Sequence, residues 1–77
     1  MLDDLIGELK LILGYDVGLD DKLLVEGGLD SFGIMQVIAY LEMRHKVLVP
    51  LEEVEIVNFS TARTISDWVL CFPAITN

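Results

Sequence analysis

The sequence predicts an all-α fold, a small four-helix bundle with three main helices, a short third helix and a long first loop. Apolar residues recur at offsets of three and four in three separate stretches, and cap or stop residues bound each stretch. The chain has 77 residues, enough for one domain, expected over 1–77, and too few for a second.

The first helix follows from Leu2, Leu5, Ile6, Leu9 and Leu13, which share one face, with Asp3, Asp4, Glu8 and Lys10 turned outward. Asp3 and Asp4 fall in its first turn, where the helix dipole favours negative charge, and Gly14 is a stop. From Gly14 to Asp30 runs a long connection whose Leu19, Leu23, Leu24 and Val25 should pin it over the core. The second helix is expected from Ser31 to about Lys46, with Ile34, Val37, Ile38 and Leu41 as its core stripe. Arg44, His45 and Lys46 suit its carbonyl end. Pro50 then suits the first position of a short third helix over 51–57, with Glu52 and Glu53 in its first turn. Ser60 or Thr61 can cap a fourth helix that presents Ile65, Trp68, Val69 and Phe72. Pro73 should end it, and the last four residues are expected to fray.

Composition narrows the function. A chain of this length buries only ~60% or slightly more of its unfolded surface, so a core and a deep enclosed pocket compete for the same residues. The net charge is −8, from thirteen acidic and five basic residues. Such a surface repels phosphate backbones and anionic lipid, which argues against nucleic-acid and membrane roles. It favours partners with basic patches, or serves only to keep an apolar domain soluble. The one cysteine, Cys71, forbids an internal disulfide and lies in an apolar run, where it reads as a small buried hydrophobe. Asp3 and Asp4 argue against a signal sequence, and no apolar run approaches the ~18 residues of a membrane span. A cytoplasmic location is expected.

One stretch concentrates candidate chemistry: G-G-L-D-S-F-G, residues 27–33. As a nucleophile elbow it fails, because Leu29 stands where glycine is needed two residues before the serine. The only histidine, His45, lies fourteen residues further along the same expected helix, about 21 Å away at 1.5 Å per residue. An EF-hand counted from Asp16 would put Asp21 and Gly27 where glycine and glutamate belong. His45 lacks a second ligand and reads as an ordinary helix-end residue. Asp30 and Ser31 together can be nothing more than a helix cap. Against that, the flanking glycines allow close approach, and Phe32 and Met35 fall off the core stripe as partly exposed apolar side chains. A helix start also stabilises a phosphate esterified to its first residue.

G-G-L-D-S-F-G, followed by I-M-Q-V-I-A-Y-L-E and later V-P, resembles the acyl and peptidyl carrier proteins over nearly the whole chain. The resemblance implies a non-catalytic carrier with 4'-phosphopantetheine covalently on Ser31. It implies Asp30, Phe32, Met35, Gln36, Ala39 and Glu42 as residues recognised by partners. Those partners would be a phosphopantetheinyl transferase, an adenylating or acyl-loading enzyme, and a downstream synthase or transferase, with the carrier itself a monomer. Gly33 and Gln36 occupy positions that are acidic in fatty-acid carriers, so basic partners should grip this helix less well. N-F-S-T-A-R-T-I looks more like free-standing carriers of polyketide or nonribosomal peptide pathways. A D-alanyl carrier for cell-wall polymers is an alternative. An unmodified helical interaction module and an acid-surfaced nucleic-acid mimic are rivals from other classes.

Overall fold

The computed structural model describes residues 2–72. Three α-helices, Leu2–Leu13 (α1), Ser31–His45 (α2) and Ala62–Val69 (α3), appear with no strand among the described residues. α1 packs against both α2 and α3, and the chain between α2 and α3 packs on α3. Leu5 and Leu9 of α1 are fully buried against Val37, Ile38 and Leu41 of α2 and Ile65 and Val69 of α3. Removing such side chains from water stabilises the fold by about 1.5–3 kcal/mol each.

Each helix end has a chemical cause. α1 stops at Gly14, whose N–H reaches the Lys10 carbonyl at 2.8 Å. α2 ends with Lys46 in the left-handed region, φ 56° and ψ 40°. Of the two residues offered as a cap for the last helix, Thr61 takes the role, its hydroxyl accepting from the Thr64 N–H at 3.1 Å. Ser60 instead donates its hydroxyl to the Val57 carbonyl at 2.5 Å.

The expected short helix over 51–57 is replaced by two 3₁₀ turns, Leu51–Glu53 and Ile56–Phe59. Val54, Ile56 and Val57 are β-branched and lose side-chain freedom in an α-helix. Phe59 is fully buried and anchors the second turn, and such short connectors close readily with i→i+3 bonds. The last helix also ends earlier than expected. Beyond Val69 the Cys71 and Phe72 N–H groups bond to the Trp68 and Val69 carbonyls at 3.1 Å, a tightened turn. This turn carries Cys71 outward, so the thiol expected to be buried is exposed. Phe72 remains half-buried, edge-on to Trp68 at 4.9 Å between ring centres, as Trp68 is to Phe59 at 5.3 Å. The expectations for Pro73 and the frayed tail lie outside the described residues.

Candidate functional site

Ser31 is the first residue of α2 and its side chain is exposed. The cap is Asp30, in extended backbone, whose Oδ1 accepts from the Gly33 N–H at 2.9 Å. The Ile34 N–H closes the first intrahelical bond onto the Asp30 carbonyl at 2.9 Å. The first N–H groups of a helix have no intrahelical acceptor. With Gly33 held by Asp30, those of Ser31 and Phe32 are left for a group at the helix end. Asp30 rather than Ser31 therefore performs the capping, which frees the serine hydroxyl.

The two other serines are occupied or hidden. Ser60 is half-buried and spends its hydroxyl on Val57, and Ser66 is only 8% exposed within α3.

The loop ahead of Ser31 is strapped down at several points. Leu23 is fully buried, with its N–H on the Ser60 carbonyl at 2.8 Å. The Arg63 N–H bonds to the Leu19 carbonyl at 3.1 Å, and its guanidinium forks onto Asp20 at 2.8 and 3.2 Å. That pairing holds the Asp20 carboxyl below its usual range. The Tyr15 hydroxyl donates to the Gly27 carbonyl at 2.7 Å and ties the loop's start to its end. At Gly27 a Cβ would stand 2.4 Å from the Lys22 carbonyl oxygen, and Gly28 has φ +84°. This turn therefore needs glycine twice, and it delivers Leu29 to the core and Asp30 to its capping position.

Gly33 does a different job from the access expected of it. It is buried, and a Cβ there would lie 2.7 Å from Leu29 Cδ1 and 3.5 Å from Ile12 Cγ2. The missing side chain lets α2 close on Leu29 and α1, and a larger residue here would have to push the Leu29 methyl aside.

The residues expected to meet partners divide between two faces. Phe32 (73% exposed) and Gln36 border a groove toward Leu11 and Ile12 of α1, and Gln36 and Ala39 line its continuation. Met35 is 51% exposed. Glu42 is half-buried and turned to the returning chain, its Oε2 accepting from the Val49 N–H at 3.3 Å.

At the far end of α2 the histidine is more than a helix-end residue. His45 Nε2 donates to Asp4 Oδ2 at 2.5 Å, and the Tyr40 hydroxyl donates to the same oxygen. A carboxylate only accepts, so Nε2 carries the hydrogen. The Tyr40 hydrogen bond, reinforced by His45, lowers the Asp4 carboxyl to about 2. Burial, then the Asp4 carboxylate, raises the Tyr40 phenol. Asp4 and Glu8, expected to face outward, are both half-buried at this junction. No local pattern signals this cluster, because Tyr40 lies thirty-six positions after Asp4. His45 is thus engaged at the opposite end of a 15-residue helix from Ser31, about 20 Å away. Among the described residues no group of three His, Cys, Asp or Glu side chains could hold a metal ion. No described helix is long and apolar enough to cross a membrane.

A strapped loop, a glycine turn and an open serine meet at one capped helix start. The family of the phosphopantetheine attachment site matches residues 3–69, and the chain belongs to it. Members carry 4'-phosphopantetheine covalently on a serine, and this is the cofactor of the chain. Comparison with curated proteins finds no match.

Proposed function

We propose that Ser31 is the attachment serine and that the chain acts as one carrier domain, holding acyl or aminoacyl intermediates of a polyketide or nonribosomal peptide type pathway. The observation that carries this is the exposed Ser31 hydroxyl at the first position of α2, with Asp30 already supplying the cap. The residues fit the group: the hydroxyl is open, and the Ser31 and Phe32 N–H groups can receive a phosphodiester. When bound, the cofactor supplies a thiol that takes the cargo as a thioester.

The chain's own part is to present Ser31 Oγ to a phosphopantetheinyl transferase. Ser31 Oγ bonds to the phosphorus that bears the pantetheine arm of coenzyme A, the pyrophosphate bond breaks, and adenosine 3',5'-bisphosphate leaves. The hydroxyl proton passes to a base of the transferase. Phe32 and Met35 beside Ser31 give that enzyme apolar contact, with Gln36, Ala39 and Glu42 further along the helix and Asp30 at its start. An adenylating or acyl-loading enzyme and a downstream synthase or transferase are the other partners. The tethered arm raises the local concentration of cargo at each of them.

Intact mass after incubation with coenzyme A and a broad-specificity phosphopantetheinyl transferase tests this. The expected result is one added phosphopantetheine, abolished in Ser31→Ala while the helical content persists. Addition that survives in Ser31→Ala would move the site elsewhere, and no addition with several transferases would sink the carrier reading.

A further inference from the structure

We infer that the groove between α1 and α2 docks a protein partner through a segment that sets an apolar side chain beside Ala39 and Met43 and a carboxylate on Arg44. The groove encloses about 560 Å³ between Glu8 of α1 and Gln36, Ala39, Tyr40, Met43 and Arg44 of α2, with a mostly apolar lining. Met43 is 77% exposed and stands with Ala39 on the apolar part of the groove wall. A second, mostly polar groove shares Glu8 and Gln36 and runs on to Leu11, Asp30 and Phe32, next to Ser31.

Charge decides the sign of the partner. Lys10 pairs with Asp16 at 3.7 Å, Lys22 with Glu26 at 3.9 Å and Arg63 with Asp20 at 2.8 Å. Among the described residues Arg44 has no such partner, and unlike Lys46 it lines the groove. A guanidinium free beside apolar surface is matched best by a carboxylate, which it can hold in two parallel hydrogen bonds. Glu8 on the opposite wall repels a second carboxylate and so fixes which way the segment lies. The groove is open along its length, which suits a helix laid across it better than a small molecule. The local chemistry thus asks for an acidic, amphipathic segment, the opposite of what a net charge of −8 would attract. That the partner is an enzyme acting on a carrier rests on the function proposed above; the groove's chemistry does not involve Ser31.

The test uses the unmodified 77-residue protein, ¹⁵N-labelled, at about 0.15 M salt, where screening over ~8 Å suppresses the overall field. The probes are two synthetic amphipathic helical peptides, identical except for Glu or Lys one turn from a central Leu. The Glu peptide is expected to shift the Glu8, Ala39, Tyr40, Met43 and Arg44 amides saturably and to bind about fivefold tighter than the Lys peptide. Arg44→Glu should reverse that order, Arg44→Gln should erase it, and Met43→Ser should weaken both peptides. Tighter binding of the Lys peptide to the unaltered protein would overturn the inference. So would an order indifferent to both Arg44 variants, shifts confined to another face, or no saturable shifts. Mass addition at Ser31 with a failed titration removes this groove and leaves the carrier reading standing; the reverse pattern removes the carrier reading alone.

Discussion

The two ends of α2 handle their polar groups in opposite ways. At the start, Asp30 satisfies one N–H and leaves those of Ser31 and Phe32, together with the serine hydroxyl, facing outward. At the finish, polar groups are closed on one another: Asp4 receives both Tyr40 and His45, and Glu42 takes the Val49 N–H. The closed end joins α1, α2 and the returning chain into one body. The open end can stay open because the loop before it is fastened to Ser60 and Arg63 and closed on itself by Tyr15. One helix is thus anchored at one end and available at the other, and substitutions at the two ends should separate stability from modification.

The largest effect is expected from Gly27→Val, which drives a side chain into the Lys22 and Leu23 carbonyls, backbone that cannot move aside. A loss of about 1–3 kcal/mol should appear as a lower urea midpoint, and displacing the strapped loop should also slow modification of Ser31. Asp30→Ala comes next. Loss of the cap costs about 1 kcal/mol and should slow modification too, since the first turn that presents Ser31 frays. Both variants act at the open end and should move both readouts.

At the closed end the two readouts should part. Tyr40→Phe deletes a hydrogen bond to a partly exposed carboxylate, and a loss of about 1 kcal/mol is expected with the modification rate unchanged. This end also carries an acid signature. Asp4 titrates at about 2 in the folded protein against an ordinary 3.8, so between those values the unfolded chain binds the proton more readily. The contribution is whole above about pH 4 and disappears as pH falls toward 2. A urea midpoint that falls less steeply over this window in Asp4→Asn than in the unaltered protein is the expected result. An identical slope would remove Asp4 from the acid response.

What was legible in the sequence follows the range of the forces involved. The core stripe of α2, the α1 face and the stop at Gly14 depend on residues three to five apart, and the structure keeps all three. Residues 51–57 misled because Pro50 and two glutamates mimic a helix start, while the β-branched residues behind them favour a tighter turn. Cys71 misled because the last helix ends at Val69, three residues short of the Phe72 its apolar pattern includes. The open serine was readable as a motif, but Asp30's role as the cap, Gly33's burial and the Asp4 cluster are tertiary facts. They depend on Leu29, Ile12 and Tyr40 arriving from other parts of the chain, which spacing does not encode.

The smallest expected effect lies just past the closed end and has the opposite sign. Lys46 holds φ 56°, a conformation that costs a residue with a Cβ about 1–2 kcal/mol and that glycine adopts freely. Three terms oppose the gain in Lys46→Gly: glycine's extra freedom in the unfolded chain, about 0.5–1 kcal/mol, the lost positive charge at the helix end, about 0.3 kcal/mol, and any packing by the exposed lysine stem. The balance is a gain of about 0.5 kcal/mol, which for a domain this size raises the Tm by about 2–4 °C. The rate of Ser31 modification should not change, because the substitution lies fifteen residues from the open end. A faster or slower modification in Lys46→Gly would mean that the two ends of α2 are coupled, and that anchoring at one sets the exposure of the other.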